Sequence, residues 1–267
     1  MKTTFKKSVT PIVPFCLFCL FAFAAIPLRA QSKPDSGLID PKTNSITDGI
    51  PHAPGGGKAL INPSDAVILL LDHQSGLFQV VKDIGAADLR TNVSAVAKLA
   101  TLLKIPVITT ASEPNGPNGP LIPEIQQFAP QATYVARKGE VNAWDNEQFV
   151  KTVEATGKKT LIMAGIWTSV CVMFPALDAK AAGYKVYAVI DASGDPSEMS
   201  SRTTLARFTQ AGIVPISTNA LVCELHRTWN RPEAAELAEI YTLPAPNYRA
   251  VIESYQKAQE AARQPKK

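Results

Sequence analysis

The sequence has few of the residues that cross-link a chain or bind metal ions. Of its four cysteines, two lie in an apolar segment near the amino end. The other two, Cys171 and Cys223, are too few for a disulfide scaffold, although one bridge between them is an open alternative. The three histidines, His52, His73 and His226, lack the close spacing of metal ligands. We therefore expect neither a metal nor a cofactor, and we expect His73 and His226 to be structural.

Positive charge is also scarce once the amino-terminal segment is set aside. The formal net charge is +4, and residues 1–30 carry Lys2, Lys6, Lys7 and Arg29 without any acidic residue. Removing these four charges leaves a neutral chain. Nothing in this balance predicts binding to nucleic acid.

Residues 1–30 have the pattern of a secretory signal, with lysines before an apolar run at 12–26. A membrane-spanning helix needs roughly 20 apolar residues, and this run is shorter and interrupted by proline. We expect cleavage after Ala30, or elsewhere between Ala24 and Ala30, with an uncleaved membrane anchor as the alternative. The mature protein would then be periplasmic or secreted, without stable membrane contact.

The rest of the chain divides by composition. Residues 31–62 are rich in proline, glycine and serine and predict a flexible leader, and 259–267 form a polar tail. Between them, residues 63–258 alternate apolar runs with amphipathic stretches, as in one domain with helices on both faces of a parallel sheet. We predict a three-layer α/β/α fold with a six-stranded, mostly parallel sheet. The predicted strands are 66–72, 105–111, 132–137, 159–165, 184–193 and 213–218.

Reactive side chains follow several of these strands. Asp72 ends the first strand, Arg137 and Lys138 end the third, Cys171 follows the fourth, and Asp191 ends the fifth. The carboxyl ends of parallel strands share one edge of a sheet, where ligands bind. An acid, a base and a thiol are therefore predicted to converge, as nucleophilic catalysis requires.

The chemistry of these groups suggests their roles. Cys171 is predicted to begin a helix, and a helix amino terminus or a nearby cation lowers the pKa of a thiol. An aspartate within reach could take the thiol proton. Taken singly, the cysteine is explained by packing, the aspartate by a turn or helix cap and the basic pair by solvation. Their combination at successive strand ends favours catalysis.

Several segments resemble the isochorismatase-like cysteine hydrolases, which include nicotinamidase and N-carbamoylsarcosine amidase. They are LLLDHQSGL, ARKGEVNAWDN, MAGIWTSVCVMFPALDA and VIDASGD. The segments NGPNGPLIPEI, NAWDNEQFVKTVEATGKK and CELHRTW resemble the YcaC-type hydrolases of that family. The resemblance runs from about Ala66 to Tyr255.

The resemblance implies a catalytic triad carried by Asp72, Lys138 and Cys171. In YcaC-type relatives an arginine resembling Arg137 occupies the basic position, so Arg137 is the alternative to Lys138. Because neighbouring strand residues face opposite sides, only one of the two should enter the site.

The resemblance also implies an oxyanion hole made by the backbone N–H groups of Trp167 and Cys171, beside a cis peptide bond from Ile166 to Trp167. A polar loop or ordinary core packing would account equally for the side chains that we consider candidates for the substrate pocket. These are Glu113, Asn115, Trp144 and Phe174.

The implied activity is hydrolysis of a small amide-like C–N bond through a thioester on Cys171. One alternative is an exported oligomeric scaffold or binding protein that keeps the fold with little turnover. Another is isochorismatase-type cleavage of a vinyl ether, which can proceed without a cysteine and is weakened by Cys171. The expected partners are a small-molecule substrate and further copies of the chain in a homo-oligomer.

Overall fold

A computed structural model describes residues 59–263 of the chain. The predicted signal segment 1–30, nearly all of the leader 31–62 and the last four residues lie outside this range. Within it, no helix has the length and apolar character needed to cross a membrane.

Six strands form one sheet in which every neighbouring pair is parallel. This confirms the predicted fold class. The spatial order is β3-β2-β1-β4-β5-β6. The strands are β1 Ala66–Leu71, β2 Val107–Ala111, β3 Thr133–Ala136, β4 Thr160–Gly165, β5 Lys185–Val189 and β6 Val214–Ile216.

Helices connect the strands and cover both faces of the sheet. They are α1 Ser75–Phe78, α2 Ala86–Leu102, α3 Pro123–Phe128, α4 Glu147–Ala155, α5 Met173–Ala181, α6 Glu198–Gln210, α7 Thr218–His226, α8 Ala234–Tyr241 and α9 Pro246–Arg263. Short 3-10 turns occupy Pro63–Asp65, Ala143–Asp145 and Ile190–Ala192.

The central strand β1 shows why the sheet is covered on both sides. All six of its residues are buried. Ile68 and Leu70 belong to the core that also contains residues of α2, α7 and α8, whereas Val67 and Leu69 belong to the core beneath α4 and α5. Successive side chains of β1 point to opposite faces of the sheet, so one apolar run contributes residues to two hydrophobic cores.

The strand order fixes where a ligand site can form. The chain starts in the middle of the sheet at β1, adds β2 and β3 on one side, and returns to place β4 on the other side of β1. The connections after β1 and β4 therefore leave in opposite directions. In parallel sheets a crevice opens at such a switch point, beyond the carboxyl ends of the strands.

Candidate active site

Three side chains from three separate elements meet at this edge of the sheet. Asp72 directly follows β1, Arg137 directly follows β3, and Cys171 lies in a single π-helical turn after β4. We call this turn, Thr168–Val172, the elbow turn. The sheet topology thus brings an acid, a base and a thiol together from distant points of the sequence, as predicted.

The backbone of Asp72 departs from strand geometry. Its φ is 54°, in the left-handed region that residues other than glycine rarely adopt. Its N–H still donates to the carbonyl of Thr110 on β2 at 3.1 Å, so the sheet holds this residue as the chain turns away. Such conformations in residues other than glycine are concentrated at functional sites.

Arg137 is the basic residue that faces Asp72. Its Nη2 donates to Asp72 Oδ1, and the solvent exposure of both side chains is 0%. Its Nη1 donates to the carbonyls of Glu140 and Val141 at 3.0 and 3.1 Å. The loop after β3 therefore fixes the orientation of the guanidinium before it meets the carboxylate.

The expectation that Lys138 occupies this position is wrong. Lys138 is exposed, and it forms no salt bridge within residues 59–263. The reason is the pleat of β3: Val135 is buried in a core, Arg137 lies two residues further on the same side, and Lys138 faces the opposite way. The alternative residue, Arg137, takes the basic place.

The thiol of Cys171 is nearly enclosed, with 8% of the residue exposed. Burial raises the pKa of the Cys171 thiol, and the neighbouring Asp72 carboxylate raises it further. The backbone N–H of Trp167 and the charge of Arg137 lower this pKa by less. Burial and the Asp72 carboxylate therefore act against the lowered thiol pKa that the sequence analysis expected.

The Asp72 carboxylate is prepared to accept a proton. Its Oδ1 takes the salt bridge from Arg137, whereas Oδ2 is buried and has no hydrogen-bond partner of ordinary geometry in the described range. Burial raises the pKa of this carboxyl, and Arg137 and the Cys171 thiol oppose that rise. A thiol beside a carboxylate whose pKa is raised can act as a nucleophile with its general base.

The backbone at the elbow turn supplies polar groups to the same place. The peptide bond between Ile166 and Trp167 is cis, as the resemblance implied. The backbone N–H of Trp167 favours the ionised form of the Cys171 thiol and so lowers its pKa. The indole Nε1 of Trp167 is buried and has no partner in the part of the chain that the structure describes.

Two of the predicted pocket residues lie on the exposed loop after β2. Glu113 and Asn115 are both accessible to solvent. Glu113 has a φ of 51°, and a side chain at Gly139 would come within 3.2 Å of its Oε1. Glu113 therefore reaches over the loop that begins with Arg137. Among residues 59–263, no hydrogen bond or salt bridge joins Asn115 to Asp72, Arg137 or Cys171.

The two aromatic candidates belong to the core beneath α4 and α5. The ring of Trp144 packs edge-on against Phe149 and Tyr184. Tyr184 immediately precedes β5, so this contact lies toward the amino ends of the strands, away from the thiol. Phe174 is partly buried one helical turn after Cys171. The packing of Trp144 thus places it outside the group of site residues, and Phe174 is the second residue of α5.

Two buried polar residues near the site were not recognised in the sequence. Gln74 bonds through its amide to both backbone groups of Ser112, at 2.9 and 3.0 Å, and so fixes the start of the loop that carries Glu113. Asp195 is fully buried and accepts two hydrogen bonds from Ser169 in the elbow turn. Both lie in segments that carry the resemblance, but nothing in the sequence separates them from ordinary turn residues.

The remaining candidates have structural surroundings. Asp191 accepts hydrogen bonds from the N–H and hydroxyl of Thr218 and caps α7. Burial lowers the pKa of His73 to about 4, and its Nε2 lies 2.9 Å from the Ala192 carbonyl. His226 packs edge-on against Trp229.

Neither a disulfide nor a metal-binding group involves these residues. Cys171 and Cys223 are both free thiols. Residues 59–263 contain no group of three or more His, Cys, Asp or Glu side chains placed to hold a metal ion.

Comparison with known proteins gives the same family. The family model for the isochorismatase domain matches residues 66–220. The chain is 45% identical to the probable hydrolase YcaC of Escherichia coli K12, over 73% of this chain and 93% of that protein. It is 26% identical to isochorismatase domain-containing protein 2 of Rattus norvegicus, over 70% of this chain and 85% of the relative.

Solved structures of YcaC proteins share the fold. The crystal structure from E. coli, an octameric hydrolase of unknown specificity, has a TM-score of 0.72 and covers 74% of this chain and 97% of its own. YcaC from Pseudomonas aeruginosa, solved with hexane-2,5-diol and covalent acrylamide, is 43% identical with a TM-score of 0.71, covering 74% of this chain and 98% of its own. This chain therefore belongs to the isochorismatase family, and its activity is that of a hydrolase.

Proposed function

We propose that this protein is a cysteine hydrolase that cleaves a small amide-like C–N bond through a thioester on Cys171. One observation carries the proposal: a buried thiol lies beside the Asp72 carboxylate, which a buried arginine holds in place. Arg137, and not Lys138, is the basic residue of the proposed triad.

The first half of the reaction forms the thioester. Asp72 accepts the thiol proton through Oδ2 as the Cys171 sulfur attacks the substrate carbonyl carbon. The backbone N–H groups of Trp167 and Cys171 stabilise the resulting oxyanion. When the tetrahedral intermediate collapses, the C–N bond breaks and Asp72 returns the proton to the leaving amine.

The second half releases the acid. A water molecule attacks the thioester carbonyl while Asp72 removes one of its protons. The carbon–sulfur bond then breaks, and the proton on Asp72 restores the thiol. Arg137 stays charged throughout and holds the carboxylate in position for both proton transfers.

The substrate is proposed to enter past the loop after β2. Glu113, and less directly Asn115, are the polar groups available to orient it, and Phe174 on α5 is the apolar candidate. Covalent acrylamide in the P. aeruginosa relative supports the presence of a nucleophilic group in a YcaC protein.

Ammonium release from a panel of small primary amides tests the activity. We expect turnover by the wild type, loss of at least about a thousandfold in Cys171→Ala, and no change in Cys223→Ala. Failure of every amide to yield ammonium would contradict the proposal. Because only 8% of Cys171 is exposed, that outcome would favour the alternative of a scaffold with little turnover.

We also propose that the protein is exported and forms a homo-oligomer. Export is inferred from the lysine-rich start and apolar run of residues 1–30. Fractionation with amino-terminal sequencing tests it, and a full-length protein retained in the cytoplasm would contradict it. Assembly is inferred from the octameric E. coli relative.

A further inference from the structure

A second carboxylate, that of Asp195, is hydrogen-bonded to the elbow turn. Its side chain is completely buried, and its Oδ1 accepts hydrogen bonds from the N–H and the hydroxyl of Ser169 at 3.1 and 2.6 Å. Its Oδ2 is also buried and has no hydrogen-bond partner among the described residues. Ser169 lies two residues before Cys171, within the same turn.

The backbone next to Asp195 is attached to the same region. The N–H of Thr168 donates to the Gly194 carbonyl at 3.0 Å, and Ile166 and Gly194 form an isolated parallel bridge. The hydroxyl of Ser193 accepts a hydrogen bond from the N–H of Gly165 at 3.1 Å. Consecutive residues of the 193–195 segment therefore hold the chain from the end of β4 into the elbow turn.

Asp195 is in turn held by the loop between α1 and α2. Its N–H donates to Asp83 Oδ1 at 2.7 Å, and its carbonyl accepts from the N–H of Lys82 at 2.9 Å. Burial raises the pKa of the Asp195 carboxyl, and the charge of Asp83 raises it further, whereas Ser169 opposes the rise. Keeping a buried acid beside a second acid is unfavourable, so its contacts with Ser169 must offset that cost.

We propose that Asp195 is a positioning residue that fixes the elbow turn through Ser169 and thereby sets the placement of the Cys171 thiol against Asp72. This inference rests on the proposed role of Cys171 as the nucleophile. A displacement of about 1 Å at a reacting group can lower a rate roughly a hundredfold. A carboxylate that holds the turn from beneath can therefore control reactivity without touching the substrate.

The chain offers a matched control. Asp191 makes the same pair of hydrogen bonds, from the N–H and hydroxyl of Thr218 at 2.6 and 2.7 Å, but caps α7. Asp195→Ala and Asp191→Ala each remove a carboxylate that accepts two hydrogen bonds from one residue. Of these two contacts, only the one between Asp195 and Ser169 lies in the elbow turn.

The experiment measures the rate at which acrylamide alkylates Cys171 at pH 7, by peptide mass, with the melting temperature measured in parallel. We expect Asp195→Ala to slow alkylation by roughly ten- to a hundredfold. Asp195→Asn, which keeps one acceptor oxygen, should recover part of that rate. Asp191→Ala should lower the melting temperature without changing the Cys171 rate.

Two results would overturn the proposal. One is an unchanged or faster Cys171 rate in folded Asp195→Ala. The other is an equal loss of rate in Asp191→Ala, which would show a general effect of lost stability. If Asp195→Ala does not fold, Ser169→Ala replaces it. This variant loses the hydroxyl contact but keeps the N–H contact with Asp195, so it should slow alkylation severalfold. An unchanged alkylation rate in Ser169→Ala would also overturn the proposal. Asp195-dependent alkylation without any amide turnover would refute the proposed hydrolysis and leave the positioning role standing.

Discussion

At the scale of single residues, the site depends on which of two adjacent basic side chains reaches Asp72. Arg137 and Lys138 are equivalent in charge, and the resemblance allowed both. The pleat of β3 decides between them, because Val135 and Arg137 lie on one side and Lys138 on the other. The sequence does not decide between them, because an apolar residue stands two positions before each: Val135 before Arg137 and Ala136 before Lys138.

The pair supplies a direct test by substitution. Arg137→Gln leaves Asp72 buried without its charged partner, which typically costs about 3–5 kcal/mol of stability. We expect a large fall in melting temperature and loss of amide hydrolysis. Lys138 is the adjacent residue and is exposed. Lys138→Gln should therefore leave the melting temperature and the rate of amide hydrolysis unchanged. Equal losses in the two variants would contradict the assignment of Arg137.

The pKa of His73 gives a prediction about stability and pH. In the folded protein it is lowered to about 4, whereas an unfolded histidine titrates near 6.5. Between these values the unfolded chain binds the extra proton, so the free energy of unfolding falls as the pH drops from 6.5 to 4. The full contribution is about 3 kcal/mol.

Urea unfolding at a series of pH values measures this contribution. Between pH 7 and pH 4, the free energy of unfolding should fall by about 3 kcal/mol more in the wild type than in His73→Gln. Parallel curves for the two proteins over that range would show that His73 does not titrate as its burial requires.

At the scale of elements, the strands could be predicted from apolar runs and the helix ends from capping residues. The strands were predictable because both faces of β1 and β4 are buried and their sequences are continuously apolar. The start of α4 was predictable because Asn146 caps it, accepting from the N–H of Phe149 at 2.9 Å. Tertiary contacts decide what the sequence did not show: the π-helical form of the elbow turn and the raised pKa of Cys171.

The close approach of β1 and β4 can be tested at Gly165. A methyl group there would lie 2.3 Å from the Leu71 carbonyl oxygen, so β4 and the elbow turn after it would have to shift. We expect Gly165→Ala to lower both the melting temperature and the alkylation rate of Cys171.

Gly157 provides the control for that substitution. Its φ is 67°, and no atom of residues 59–263 lies within 4 Å of an added methyl group, so Gly157→Ala should cost roughly 1–2 kcal/mol through backbone strain alone. The alkylation rate of Cys171 should stay unchanged. A Gly165→Ala protein with normal thiol reactivity would show that the elbow turn tolerates movement of β4.

At the scale of the whole molecule, the proposed homo-oligomer can be tested directly. The E. coli relative is an octamer, and the exposed side chains of this chain include Val251 and Tyr255 on α9. We expect residues 31–267 to elute with a mass several times that of one chain when measured by light scattering. A monomer at micromolar concentration would contradict the proposed homo-oligomer.

The central proposal is that the thiol of Cys171 uses the adjacent Asp72 carboxylate as its general base. The alternative is that Asp72 merely suppresses the thiol by raising its pKa. These two roles predict opposite effects of Asp72→Asn, because the amide neither accepts the proton nor raises the pKa by charge.

The measurement that separates them is the rate of Cys171 alkylation by acrylamide at pH 7, in the wild type and in Asp72→Asn. If Asp72 is the general base, the variant should react at least about tenfold more slowly. A variant that reacts as fast as the wild type, or faster, would contradict the account.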